Sequence, residues 1–217
     1  MADFLDYLSF RRDHILDLAI EHAQLVLYTI AIATAVSVVV GVLVYRRERL
    51  AGIVLSVVGT AFTIPALALF ALLIPIFGLG FRPALVALVI YALLPITRNT
   101  IAGLRGVDQA VIESAQGMGM NRWRRLIRIE LPLAWPVILT GIRVATVMIV
   151  GIAAIAACVN GPGLGLGHDI FDGLSRIGTP TAIHLVLSGT LGVVALALLF
   201  DAAYLVLGKL TTSKGLR

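Results

Sequence analysis

Apolar residues gather along this chain into five long stretches, at about 23–45, 52–77, 83–103, 133–159 and 182–207, separated by short polar segments. Each is long enough for a helix to cross a hydrocarbon core of ~30 Å, which takes about 20 residues. The second stretch contains Pro65 and Pro75, and the third contains Pro95. Prolines are tolerated in a helix bundle because neighbours satisfy the freed carbonyls, so the pattern predicts kinks at Pro65 and Pro95. Small residues such as Gly59, Gly141, Ala145 and Gly151 predict close helix approach. Ahead of the first stretch, Asp3, Asp6, Asp13, Asp17 and Glu21 alternate with Ile15, Leu16, Leu18 and Ile20. That mixture predicts a short amphipathic lead-in helix at the interface and lacks the layout of a signal peptide.

Composition narrows the class. Of 217 residues 59% are hydrophobic and 13% are charged, and the mean hydropathy is +1.01. A soluble domain carries about a quarter charged residues, so a soluble fold would lack the polar residues to cover its surface. The expectation is an all-α integral membrane protein. It divides into a lead-in at 1–22, one transmembrane domain at 23–208 and a tail at 209–217. Cys158, the single cysteine, excludes an internal disulfide and reads as a small apolar filler.

The net charge of +5 points to arginines retained on the cytoplasmic side of the membrane rather than to nucleic acid. Arg46, Arg47 and Arg49 fill the first loop. Arg105, Arg122, Arg124, Arg125 and Arg128 fill the third, and Lys209, Lys214 and Arg217 the tail. The other loops hold only Arg82 and Arg176, and the N-terminus Arg11 and Arg12. The positive-inside rule then puts the N-terminus outside and the C-terminus inside, as an odd number of spans requires.

The longest cytoplasmic segment, 104–132, breaks the apolar pattern. On a helix turning about 100° per residue, Trp123, Leu126 and Ile127 share one sector while Arg122, Arg124, Arg125 and Arg128 fall on the other side. Such a segment lies along anionic lipid or against a protein partner. Pro132 predicts a turn at Leu131 before the fourth span, acting as a rigid joint. Gly117 and Gly119 permit a sharp turn or a close backbone approach.

This segment resembles the EAA motif of permease subunits of bacterial ATP-binding-cassette importers. Glu113-Ser114-Ala115, three residues, Gly119, nine residues and Ile129-Glu130-Leu131-Pro132 follow the motif, with Ser114 for its first alanine as the only departure. The resemblance implies a five-helix type I importer bundle whose cytoplasmic coupling helix seats in a groove on an ATPase subunit. Glu113, Ser114, Ala115, Gly117, Gly119, Ile129, Leu131 and Pro132 are the coupling residues it implies. Partners implied are two cytoplasmic ATPases, an extracytoplasmic solute-binding protein, and a second permease copy or paralogue in the lipid of the inner membrane. The chain itself is then no enzyme and binds no cofactor, ATP and magnesium belonging to the ATPases. Consistently, Gly161 to Gly167 lacks the Lys-Ser/Thr of a phosphate-binding loop and reads as an external turn.

Leu94-Pro95-Ile96-Thr97-Arg98-Asn99-Thr100, Gly103-Leu104-Arg105, Gly117-Met118-Gly119-Met120 and Gly141-Ile142-Arg143 resemble osmoprotectant permeases, the glycine betaine/carnitine/choline importers. Permeases for methionine or sulfonates share parts of the pattern and stay open as alternatives. The family's Gly-rich turn lies near an external gate, which implies that place for Asn160 and Gly163. Aromatic residues are 7% of the chain and form no cluster of the kind that cages a quaternary ammonium. In the family that cage belongs to the binding protein.

Charges inside the spans need partners or water. Arg143, Arg98 and Asp201 are the candidates, with Arg143 or Arg98 pairing Asp201 between helices, and Asn99 beside Arg98. An intramembrane hydrolase using His184 or His168 would need histidine or acidic clusters at matched depth, which are not seen. A secondary transporter would need inverted repeats and gives no reason for the motif spacing.

Overall fold

The computed structural model describes residues 2–160 and 165–211, and the side chains of these except at 2 and 158–160. Gly163, the side chains of Asn160 and Cys158, and the tail from 212 lie outside the described residues. The described residues are helical throughout: α1 Ala2–Phe10, α2 Arg12–Val44, α3 Glu48–Phe62, α4 Ala66–Phe77, α5 Phe81–Arg105, α6 Gln109–Gly117, α7 Arg122–Arg125, a π-helical turn Leu126–Glu130, α8 Leu131–Asn160, α9 Gly167–Ser175 and α10 Ala182–Thr211. Four helices are long and apolar enough to span a membrane, with α3 and α4 together as a bent fifth.

The most extensive packing is α5 against α8, then α2 against α5. Ala84, Ala87, Leu88, Tyr91, Ala92 and Ile96 of α5 are buried at helical spacing, so α5 is the centre of the bundle. Small residues set the α5–α8 distance. A Cβ on Gly141 would meet Asn99 Cβ at 2.5 Å and the Pro95 carbonyl at 2.9 Å, and one on Gly103 the Ala134 carbonyl at 2.9 Å. Gly59 and Gly151 have nothing within 4 Å, so they do not serve close approach within this chain.

Four expectations change. The lead-in is not separate from the first span: α2 runs unbroken from Arg12. Leu18, His22, Leu25 and Val26 continue one buried stripe, and the polar groups among them find partners. His22 Nε2 lies 3.0 Å from the Val150 carbonyl, and Glu21 accepts from Gly165 N at 3.2 Å.

At Pro65 the chain does not kink; it breaks, and α3 and α4 meet at 94°. Pro65 precedes α4 in an extended conformation, with ψ 135°. The Ile64 carbonyl beside it accepts a hydrogen bond from the Tyr91 hydroxyl, and the Tyr91 ring stands edge-on to Phe62 at 5.9 Å. Around Pro95, by contrast, α5 is one helix from Phe81 to Arg105.

The expected turn at Leu131–Pro132 is absent, since α7, the π turn and α8 form one continuous helical span from Arg122. An α-helical proline ring strikes the carbonyl four residues back. The π turn ahead of Pro132, closed by Leu131 N–H to the Leu126 carbonyl, widens the ladder there and gives the ring room.

Candidate functional site

The segment between α5 and α8 is a helix–turn–helix. Asp108 caps α6 by accepting from Ala110 N at 2.9 Å. The helix ends in a Schellman arrangement: Gly119 N donates to the Gln116 carbonyl at 2.9 Å and Met120 N to the Ala115 carbonyl at 3.1 Å. That closure needs a left-handed residue, and Gly119 has φ +78°. Asn121 then caps α7, accepting from Arg124 N at 2.9 Å. Of the two glycines only Gly119 is conformationally required; Gly117 closes the helix, and a Cβ at either would meet nothing within 4 Å.

Motif positions sort by depth. Ala115 is fully buried, while Glu113, Ser114, Gly117 and Gly119 are exposed. Glu113 accepts only from Gln109, at 3.2 Å. Ile129 and Leu131 are half-buried at the root of α8 and Pro132 is exposed there. Met118 and Trp123 stand 69% and 68% exposed beside exposed Arg122 and Arg124. The outer face of the turn is thus apolar and basic together.

The helical-wheel expectation inverts at one place. Arg125, assigned to the polar side, is 2% exposed, whereas Trp123 and Ile127 of the apolar sector are largely open, as a face turned to lipid or a partner would be. The cause is Glu130, fully buried. Arg125 Nε donates to Glu130 Oε1 at 2.8 Å, as does Arg46 Nη2 at 2.8 Å. Tyr45 OH donates to Oε2 and accepts from Arg46 Nε. Arg105 Nε completes the node by donating to the Tyr45 carbonyl at 2.7 Å. Burial, and after it the hydrogen bond to Glu130, pushes the Tyr45 phenol above its ordinary range, so it stays a donor at neutral pH. The α2–α3 turn, α7 and the root of α8 meet on one carboxylate, and the end of α5 joins them through the Tyr45 carbonyl. Sequence reading missed this node. The available signal was a lone glutamate in an apolar run opposite a loop of arginines.

Within the spans, Arg143 and Asp201 form a two-point pair between α8 and α10. Nε reaches Oδ1 at 2.6 Å and Nη2 reaches Oδ2 at 2.8 Å. Arg98 is exposed and makes no ion pair among the described residues. Asn99 Nδ2 donates to the Pro95 carbonyl at 2.8 Å under Gly141. A lone charge at this depth costs a few kcal/mol. Arg143→Asp or Asp201→Arg alone is therefore expected to cut assembled protein severalfold, and the double exchange to restore it. Membrane levels and size-exclusion profiles check this, and a double exchange as poor as the singles would count against the pair.

At the opposite end of the bundle, Asp169 is 1% exposed and lies 3.6 Å from Arg11 and 3.3 Å from His14. Its partners come from the N-terminal segment and from Ser188 of α10, whose hydroxyl donates to Oδ2 at 3.4 Å, not from His168 next to it. His184 packs against the rings of Phe4 and Tyr7. Among the described residues no histidine, cysteine and carboxylate groups cluster as a metal site.

Residues 29–212 match the family described as binding-protein-dependent transport system inner membrane component. The carnitine transport permease protein OpuCB of Listeria monocytogenes is 42% identical over 190 residues, 88% of this chain and 83% of that one. The osmoprotectant import permease protein OsmW of Salmonella typhimurium is 37% identical over 220 residues, 99% and 100% of the two chains. The glycine betaine/carnitine/choline permease OpuCB of Bacillus subtilis is 37% identical over 197 residues, 91% and 88%. Among solved structures, a chain of the MetNI methionine ABC transporter in an inward-facing form superimposes with a TM-score of 0.81 at 22% identity, over 92% of this chain and 96% of that one. This last likeness is one of fold.

Proposed function

Since the chain belongs to the family of inner-membrane components of binding-protein-dependent transport systems, we propose that it forms the membrane pathway for a quaternary ammonium osmoprotectant such as glycine betaine, carnitine or choline. It is a multi-pass transport permease and not an enzyme. The α6–α7 turn docks on a cytoplasmic ATPase that binds the ATP and magnesium. Two permease chains, identical or paralogous, work with two ATPases, and a binding protein delivers solute from outside. The N-terminus is outside and the C-terminus inside.

The observation that carries this reading is the exposed turn at Gly119, open on its outer face and tied through Glu130 to the end of α2, with Arg105 of α5 bonded to the Tyr45 carbonyl there. A partner pressing there pushes on α2, α5 and α8 together. Similarity to permeases named for carnitine, for glycine betaine, carnitine and choline, and for osmoprotectants supports the substrate class.

The test is reconstitution. In proteoliposomes holding the chain with its ATPase, supplied with the binding protein, uptake of labelled glycine betaine, carnitine or choline is expected to require ATP inside. The chain alone is expected to move none. Uptake without the ATPase would overturn the coupling, and ATP-driven uptake of some other solute only would overturn the substrate class.

A further inference from the structure

Arg143 and Asp201 satisfy each other, yet their side chains remain 36% and 33% exposed. Arg143 stands roughly 18 Å along α8 from Leu131, and Asp201 roughly 15 Å along α10 from Thr211, at 1.5 Å per residue. Against a hydrocarbon core of ~30 Å, both sit near mid-depth. Charges open to lipid there are costly. The open side of the pair therefore faces water or protein.

The surroundings are built for more than pairing. Beside the pair lies a cleft of about 260 Å³ lined by Pro136, Thr140, Arg143, Tyr204, Gly208 and Lys209, and Asp201 lines an adjoining cleft that shares Thr140 and Arg143 with it. Asp201 occupies Nε and Nη2 of the guanidinium. Nη1 has no partner among the described residues and is left to a ligand. Thr146 Oγ1, which donates to the Ile142 carbonyl at 2.8 Å, accepts from the Tyr204 hydroxyl at 3.1 Å, which holds the ring in place at the cleft.

We infer that the α8–α10 cleft is a transit site in the pathway for a zwitterion carrying both a quaternary ammonium and a carboxylate. Arg143 takes the carboxylate through its unpaired edge, as guanidinium groups do. A quaternary ammonium has no hydrogen to donate, so it needs negative potential and an aromatic face rather than a hydrogen-bond acceptor. Asp201 and the Tyr204 ring supply these. The pair is neutral when empty and accepts a ligand that is itself neutral, so occupancy leaves no net charge in the membrane. This rests on the substrate class proposed above.

The experiment uses the complete transporter in proteoliposomes. With Cys158→Ser as background, Thr140→Cys gives one thiol at the cleft. A membrane-impermeant thiosulfonate is expected to modify it, severalfold more slowly with glycine betaine present. A thiol that never reacts, or reacts at one rate regardless of glycine betaine, overturns the site. The second measurement is the ratio of glycine betaine to choline uptake, choline having no carboxylate. Arg143→Gln is expected to lower that ratio about tenfold, the worth of one charge-assisted hydrogen bond, and Asp201→Asn to lower both uptakes. Parallel loss of both solutes in Arg143→Gln would mean the pair only holds helices together. The double variant Arg143→Gln/Asp201→Asn removes both charges and keeps a side-chain hydrogen bond, so it separates charge from folding: a wild-type ratio in it also overturns the site. A wild-type transporter that moves neither solute fails the substrate class instead. One that moves only zwitterions leaves the thiol measurement to decide.

Discussion

Glu130→Ala should remove most of the folded permease from the membrane. The carboxylate is fully buried and Arg125 is 2% exposed, so the substitution strands a guanidinium with no water to turn to. Removing one partner of a buried pair costs about 3–5 kcal/mol, set against a total stability of about 5–15 kcal/mol. Arg46, with 41% of its side chain exposed, can swing outward and adds less. Tyr45→Phe removes one hydrogen bond and should cost about 1 kcal/mol. The apolar pair Arg125→Met/Glu130→Met should recover much of the loss, because two matched apolar side chains leave nothing unpaired. Thermal melting of the detergent-solubilised protein measures all three. A Glu130→Ala variant melting with the wild type would show that the node contributes nothing.

Gly119→Leu should leave the protein inserted and abolish the ATP hydrolysis that loaded binding protein stimulates in the complex. Gly119 closes α6 at φ +78°, where a residue with a Cβ pays about 1–2 kcal/mol. A leucine also projects from a surface that nothing in the chain covers. Gly119→Asn, tolerant of the left-handed region, should keep an intermediate response. Gly117→Ala tests the surface separately: Gly117 is helical, so alanine there adds bulk without backbone strain. ATPase rates in proteoliposomes with and without loaded binding protein give the comparison. Full stimulated turnover in Gly119→Leu would contradict the docking role.

The apolar stretches carried most of the fold in the sequence itself, and the spacing from Glu113 to Pro132 marked the helix–turn–helix between α5 and α8. Hydropathy cannot distinguish a kinked span from one folded back on itself. The 94° break at Pro65 depends on Tyr91 reaching the Ile64 carbonyl from α5, a contact invisible to local pattern. The wheel placed Arg125 outward because arginine usually faces solvent. Its actual position is set by Glu130 five residues on, across a π turn that no 100° periodicity contains. Pro132 misled for the same reason, since the widened turn before it lets the helix continue. The Arg143–Asp201 pair was readable because both charges stand in long apolar runs, where the cost of leaving either alone narrows the choices.

The unbroken helical run Arg122–Ala157 has 36 residues, roughly 54 Å at 1.5 Å per residue, more than the ~40–45 Å of a bilayer with its headgroups. Near its midpoint Gly141 sits against the backbone of α5 at Pro95, a close approach placed to serve as a fulcrum. A beam balanced there tips like a see-saw: a 10° tilt displaces each end by about 5 Å in opposite senses. If two copies pair as proposed, drawing such beams together at one face of the membrane would spread them at the other.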